Sequence, residues 1–252
     1  MSKSTIVPIA ELQNMPYASV VCYPRAKHIE VQGRIEELRQ LGVESVEFTG
    51  TGSAFTLQVL GKGFVGIVVV AYVDRKRFAL KMRRVDGGRE DFLHEAEMLQ
   101  KANAVGVGPK FVAVTRNFLL SQLIDGDLLA NWLGAHKEKT EFRRVLGDIL
   151  EQCWRLDEAG LDHGELSKAP RHLLMTQKGE PFIVDFETAS TQRHASNVTA
   201  VCQYLFAGNS IVPKLVWEVL GEKDRYQIID ALKDYKKNRS RNSFEALLKV
   251  CL

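Results

Sequence analysis

The sequence predicts an α+β fold in two parts, an N-terminal region of antiparallel strands with one helix and a reduced, mainly helical C-terminal region. Three patterns carry this reading. From Phe55 to Lys81 β-branched and apolar residues dominate, broken by a glycine loop and by the charged turn Asp74-Arg75-Lys76-Arg77, as consecutive antiparallel strands require. From Arg89 to Asn103 the apolar period becomes helical. Beyond Glu141 most apolar stretches keep that period.

Taken in order, Tyr17 to Cys22 reads as a short strand ended by Pro24. Ile29, Ile35, Leu38 and Leu41 read as the stripe of a helix stopping at Gly42. Residues 1–54 are then a strand-helix extension packed on the sheet region of residues 55–124. In the Arg89–Asn103 helix, Phe92, Leu93, Ala96 and Leu99 share a face. After Gly106-Val107-Gly108-Pro109, Phe111–Val114 and Phe118–Ile124 are two more strands, and Asp125-Gly126-Asp127 is turn chemistry. Residues 125–252 form the helical region. Its first long helix, Glu141–Ala159, turns Phe142, Val145, Leu146, Ile149, Leu150 and Trp154 inward and closes at Gly160, which suits a left-handed cap. Val198–Phe206, Lys214–Leu220, Tyr226–Tyr235 and Phe244–Leu252 follow as helical segments.

Composition excludes several functional classes. A net charge of +3 from 34 basic and 31 acidic residues among 252 gives no global field for nucleic acid or membrane. Cys22, Cys153, Cys202 and Cys251 lie far apart, without the C-x-x-C spacing of zinc or dithiol sites, and read as reduced thiols of a cytoplasmic protein. The most apolar run, Phe64–Val73, is about half the ~20 residues a membrane span needs, and no signal peptide opens the chain. One local basic run, Lys236-Lys237-Asn238-Arg239-Ser240-Arg241, reads either as a solvated turn or as a phosphate contact to RNA.

The chemistry-bearing residues begin at Gly61, Gly63 and Gly66, spaced G-x-G-x-x-G and followed by Val68. In a dinucleotide-binding fold such glycines open a helix whose N-terminus holds the pyrophosphate. Here Val68, Val69, Val70 and Tyr72 continue as a strand, so the loop caps a hairpin. Glycine at such a loop lets backbone approach phosphate oxygens without a Cβ in the way. Next comes Phe78-Ala79-Leu80-Lys81, a strand presenting a lysine, which taken alone is a solvated edge residue. Glu95, fourteen residues later in a helix, is placed to pair with that lysine, with Glu97 as competitor about 200° round the helix. Asp162-His163-Gly164-Glu165-Leu166 follows the long helix. Ile183-Val184-Asp185-Phe186-Glu187 is an apolar strand delivering a carboxylate, or more plainly an acidic turn.

In this order, from about Leu57 to Ser190, the motifs resemble the protein kinase superfamily. The H-G-x-L loop and short tail are most similar to its small atypical members, among them the Rio kinases, the kinase partner of the tRNA threonylcarbamoylation machinery and a group of predicted archaeal serine/threonine kinases. The resemblance implies a two-lobed kinase-like fold and ATP with Mg2+ as cofactors. Gly61, Gly63 and Gly66 would cover the phosphates, and Val68 and Ala79 would line the adenine site. Lys81 would reach the α- and β-phosphates, held by Glu95, and the backbones of Gln122 and Ile124 would hydrogen-bond the adenine edge. Asp185 would bind the metal, and Glu165 would stand where the catalytic aspartate stands.

The chain departs from that pattern in three places. Glu165 adds a methylene to the catalytic carboxylate, moving it about 1 Å or more. Pro170 occupies the position of the second metal-binding asparagine, leaving Arg171 or His172 in its place, although Mg2+ prefers oxygen. Glu187 offers that oxygen as a second metal ligand; otherwise it is a turn residue or a partner of Arg171. No A-P-E segment follows Asp185, so the usual platform for a protein substrate is missing. The expected activity is transfer of the ATP γ-phosphate to a hydroxyl acceptor, a protein in the first place. The alternatives are a nucleotide-binding pseudokinase, or an ATPase coupled to RNA or to a protein partner.

Overall fold

The computed structural model describes residues 4–252 and has mixed α/β structure with antiparallel sheets. Two units are separable. The first comprises residues up to Gln100 together with Lys110–Leu123, and the second Lys101–Pro109 with Ile124–Leu252.

In the first unit the chain runs β1 (Thr5–Pro8), α1 (Tyr17–Val21), α2 (His28–Gln40), β2 (Ser45–Phe48), β3 (Gly52–Ala54), β4 (Leu57–Val59), β5 (Gly61–Lys62), β6 (Gly66–Val73), β7 (Lys76–Arg83), α3 (Leu93–Ala104), β8 (Phe111–Val114) and β9 (Phe118–Gln122). The main sheet has the order β1-β2-β6-β7-β9-β8, with β5 also on β6 and β3-β4 as a separate hairpin. β6 and β7 are joined by Asp74 and Arg75 alone, both at positive φ (48° and 61°), the twist a two-residue hairpin favours. Alternation then sorts the strands. Ile67, Val69, Leu80, Met82 and Leu120 join one core with Val20, Val21, Ile35 and Leu38, while Leu119 faces Phe92 and Ala96 of the α3 region.

Residues 5–54 thus extend the sheet and fill one of its faces. Tyr17–Val21 is a helix, not the expected strand. Five residues are too few for periodicity to decide between the two, and the helical turn buries Ala18, Val20 and Val21 together. α2 buries Val31, Arg34, Ile35 and Leu38 at helical spacing, which leaves the expected Ile29 84% exposed. Arg34 is sunk in the core because its guanidinium donates to the carbonyls of Val21 and Arg83 and pairs with Glu30, tying the end of α1 to the end of β7. α3 begins only at Leu93, which is exposed, and Asp91 accepts the Leu93 N–H at 3.0 Å.

The second unit runs β10 (Gly126–Leu128), α4 (Leu129–Ala135), α5 (Lys139–Glu158), β11 (Leu173–Thr176), β12 (Pro181–Ile183), α6 (Asn197–Cys202), α7 (Ile211–Leu220), α8 (Arg225–Lys237) and α9 (Arg241–Cys251). Asp125-Gly126-Asp127, expected as a turn, instead leads into β10, which pairs with β11 in the order β10-β11-β12. Glycine permits this pairing, since a Cβ at residue 126 would overlap the Met175 carbonyl. In α5 Glu138 caps the N-terminus, the stripe from Phe142 through Leu150 is buried, and Gly160 closes the helix at φ 66°. Trp154 lies at the edge of that stripe, stacked on Phe244 and beneath the Arg241 guanidinium. The helix expected at Val198–Phe206 is α6 continued by a wider π turn over Gln203–Ala207. All four cysteines are free and buried, and no helix among the described residues is long and apolar enough to cross a membrane.

Gly126→Ala is expected to destabilise the protein by about 1–3 kcal/mol through backbone overlap. Gly134→Ala, a helical position with open space around it, should be neutral or slightly stabilising. Urea unfolding of the two variants reads the opposite signs directly.

Candidate functional site

In the first unit the glycine loop is a hairpin tip. Gly61 is in register with Val68, and the Gly63 N–H donates to the Gly66 carbonyl at 2.9 Å. Phe64 at the tip is 90% exposed. The segment after β7 braces the loop, for the Arg84 N–H donates to the Val65 carbonyl at 2.8 Å and its guanidinium to the Gly63 carbonyl at 2.8 Å.

The three glycines are not equivalent. A Cβ on Gly66 would come within 3.0 Å of Lys81 Cγ and 3.1 Å of the Met82 carbonyl, so packing favours glycine there and any larger residue would have to displace the lysine stem by a few tenths of an ångström. No such demand falls on the other two: a Cβ on Gly61 would meet nothing within 4 Å, and one on Gly63 would reach only the Gly66 carbonyl at 3.7 Å. Neither has a positive φ among those of the described residues. The packing thus favours one glycine of the three, and the other two keep an open backbone surface.

Val68, Ala79 and Lys81 lie on one half-buried face of β6 and β7, with Val68 in register with Lys81 and Val70 with Ala79. On that face Lys81 Nζ contacts both carboxylate oxygens of Glu95 at 2.9 Å, and the side chains are only 13% and 7% exposed. The Phe92 ring lies 5.6 Å from the same ammonium. Glu97 points to solvent. Gln122 has its backbone N–H engaged. Its N–H already donates to the Lys110 carbonyl at 2.8 Å and its side chain accepts from Lys110 N–H, so this N–H is not available to an adenine. Ile124 lies just beyond β9, and its N–H has no main-chain acceptor among the described residues.

In the second unit β12 delivers Val184 and then Asp185, whose φ of 70° is left-handed in a residue with a Cβ. Phe186 is buried edge-on against His163, 5.1 Å between ring centroids. His163 Nε2–H donates to the Val184 carbonyl at 3.1 Å, its backbone N–H to Asn197 Oδ1 at 2.8 Å, and its carbonyl accepts the Thr188 hydroxyl at 3.0 Å. Gly164 (φ 90°) has no room for a side chain, because Thr188 and Arg193 fold against it. Burial, and after it the neighbouring His172, hold the His163 imidazole neutral with its pKa down to about 4.

Glu165 follows, its side chain 39% exposed, with Oε2 3.2 Å from His172 Nε2. His172 Nδ1 is 3.9 Å from Asp185 Oδ2, and this nitrogen is buried without a hydrogen-bond partner among the described residues. Of the two replacements considered for the asparagine, His172 therefore faces the carboxylates, whereas Arg171 is exposed beside exposed Pro170. Glu187 is half-buried two residues beyond Asp185. In the basic run Arg239 bonds His194 and the Ala195 carbonyl, and Arg241 bonds Glu151 at 2.7 Å and Glu245 at 2.9 Å, so both arginines serve the fold.

Sequence reasoning missed the support beneath this loop. Asp157 at the end of α5 accepts from Asn197 N and Nδ2, from Val198 N and from the Tyr235 hydroxyl. Asp157, Asn197 and Tyr235 are single polar side chains among apolar neighbours, and only an unexpected polar residue at a buried position would have signalled them.

No family profile matches the chain. Over 118 residues it is 31% identical to the uncharacterized protein MJ1211 of Methanocaldococcus jannaschii, an alignment covering 46% of this chain and 98% of that protein.

Removing one member of the buried ion pair should cost more than removing both. Lys81→Met is expected to lose about 3–5 kcal/mol by removing a counter-charge from buried Glu95, and Lys81→Met/Glu95→Leu to recover most of it, read by urea unfolding. His163, depressed to about 4 from 6.5, contributes stability that is complete above pH 6.5 and lost as pH falls toward 4, up to about 3 kcal/mol. The unfolding midpoint of His163→Gln should therefore fall less steeply between pH 7 and 4.5 than that of the unmodified protein.

Proposed function

We propose that this chain, which belongs to the same protein family as the uncharacterized Methanocaldococcus jannaschii protein, is an ATP-dependent phosphotransferase of kinase-like two-lobed fold, acting in the cytoplasm on a hydroxyl acceptor. One observation supports the reading above the rest: a buried lysine held by both oxygens of a helix glutamate, in register with a glycine hairpin whose first two glycines the fold does not require. A backbone kept bare and a fixed ammonium are what polyphosphate binding needs. Buried ion pairs also serve structure alone, but that would leave Gly61 and Gly63 without a role.

The second unit carries carboxylates of its own. Asp185 in its left-handed conformation and nearby Glu187 offer carboxylate oxygens, a donor set that suits a hard divalent cation. Such an ion, carried with the nucleotide, supplies neutralisation of the phosphate charge. Glu165, partly exposed, is the carboxylate for the acceptor hydroxyl. Phosphoryl transfer asks the protein mainly for positioning and charge, and these residues supply both.

A second reading, nucleotide binding without turnover, is favoured by exposed Pro170 where a metal-binding asparagine is expected. An ATPase coupled to RNA has less support, since Arg239 and Arg241 are bound internally and Lys236 and Lys237 remain. ATP labelled on its γ-phosphate separates the three. Label is expected on protein with the intact chain, none with Asp185→Ala, and about 100-fold less or lower with Glu165→Gln. Free phosphate without labelled protein would instead indicate the ATPase, and ATP binding without either signal the pseudokinase.

A further inference from the structure

Tyr23, just beyond α1, touches the glycine hairpin and the segment that braces it. Lys62 Nζ, on the hairpin, stands 5.5 Å from the Tyr23 ring centroid and the Arg84 guanidinium 4.9 Å from it, both within cation–π reach. The Phe55 ring packs on Tyr23 at 5.0 Å, and the Tyr23 carbonyl accepts the Val85 N–H at 2.8 Å. Phe55 opens the two-residue turn between β3 and β4 at φ 54°, a place where glycine is usual and a bulky side chain is strained. Backbone strain is thus carried at the residue whose ring backs Tyr23.

Arg84 passes this contact on to the backbone of the hairpin. Its Nε and Nη2 donate to the two Asp86 oxygens at 2.9 Å each, and Nη1 donates to the Gly63 carbonyl at 2.8 Å. The peptide after Gly63 is trans, so a carbonyl turned toward Arg84 turns the Phe64 N–H the opposite way. Neither that N–H nor the next one, of Val65, has an acceptor among the described residues. Successive backbone N–H groups without acceptors are suited to an anion. Gly87 limits movement from below, because even a Cβ there would come within 2.9 Å of the Phe64 carbonyl.

We propose that Tyr23 and the Arg84–Asp86 pair are positioning residues that set the glycine hairpin in its anion-accepting conformation before any ligand arrives, which makes residues 5–54 a working part of the phosphate site. Gly61 and Gly63 have no side chain to restrict them, and a loop ordered only on binding would give up affinity to the entropy of ordering. A guanidinium suits the task because its planar fork can lie on an aromatic ring, grip a carboxylate with two N–H groups and still aim a third at a carbonyl. The inference rests on the phosphotransferase reading only in taking the anion to be the polyphosphate of ATP.

Amide hydrogen exchange, followed residue by residue by nuclear magnetic resonance in the full-length protein without ligand, reads the hairpin directly. The Gly63 N–H, bonded to the Gly66 carbonyl, is expected to exchange about tenfold faster in Tyr23→Leu and in Arg84→Met, while Tyr23→Phe, which keeps the ring, retains the unmodified rate. Amides of β6 and β7 report whether each variant is folded, and Arg84→Met decides the matter if Tyr23→Leu is not. Calorimetric titration with ADP and Mg2+ should show about tenfold weaker binding in the first two variants and unchanged binding in Tyr23→Phe. Unchanged Gly63 exchange in folded Arg84→Met overturns the proposal. Faster exchange with ADP affinity untouched also overturns it, by reducing the contacts to a structural role. Faster exchange in the variants, with no ADP bound even by the unmodified protein, would keep the hold on the hairpin and remove the phosphotransferase reading.

Discussion

A lysine ammonium withdrawn from water needs a counter-charge, and in the first unit that requirement governs more than the pair itself. Lys81 leaves β7 on the face covered by α3, where an unpaired charge would cost several kcal/mol. Glu95 meets it on the first turn of α3, so the start and rotation of that helix are set by the lysine as much as by Phe92 and Ala96. The lysine stem in turn occupies the space where residue 66 would carry a Cβ. A glycine, a lysine and a glutamate distant in sequence are therefore one steric and electrostatic unit. A larger residue at 66 would push the stem, and the moved ammonium would lose one of its two equal contacts.

The second unit solves a related problem with hydrogen bonds. The loop carrying His163, Gly164 and Glu165 contains no regular structure until the 3-10 turn at Leu166–Lys168. Its order comes from beneath. Asp157 gathers four donors from α6 and α8, Asn197 passes the connection on to His163 N–H, and His163 clasps the Val184 carbonyl one residue before Asp185. Burial and the Asp157 carboxylate both raise the Tyr235 pKa, so its hydroxyl stays a donor throughout the physiological range. Buried hydrogen-bond networks of this kind are rigid, because each lost bond strands a desolvated partner. Glu165 and Asp185 thus inherit their positions from a helix end on the opposite side of the loop.

What the sequence disclosed depended on the kind of signal. Long periodic elements were readable: the β6–β7 hairpin with its charged turn, and α5 with its buried stripe and Gly160 stop. The Lys81–Glu95 contact joins two residues that were singled out by their likeness to a known motif order together with their spacing. Short segments were not readable. Tyr17–Val21 has the composition of a strand but buries itself as a helical turn, and Gly126 looks like turn chemistry although its role is to let β10 approach β11. Ile29 and Leu93 fit a helical period yet face solvent, since periodicity gives a stripe without saying what covers it. The polar support of Asp157, Asn197 and Tyr235 left no pattern, because its partners come from separate helices and meet only in the folded chain.

The departures from the kinase pattern are physically coupled. A glutamate in place of an aspartate gains a methylene and a rotatable bond, which costs positional definition, a matter of weight if the group is to meet a hydroxyl as proposed. Pro170 stands in the position of the asparagine, and His172 follows two residues later. That histidine stands beside the longer carboxylate at 3.2 Å, a distance that supplies the positional definition the extra bond took away. An aspartate at 165, shorter by one methylene, would retreat from the imidazole, and an asparagine at 172 would be too short to span both carboxylates. Neither exchange makes sense singly, whereas together they form a closed arrangement in which each residue is fixed by the other.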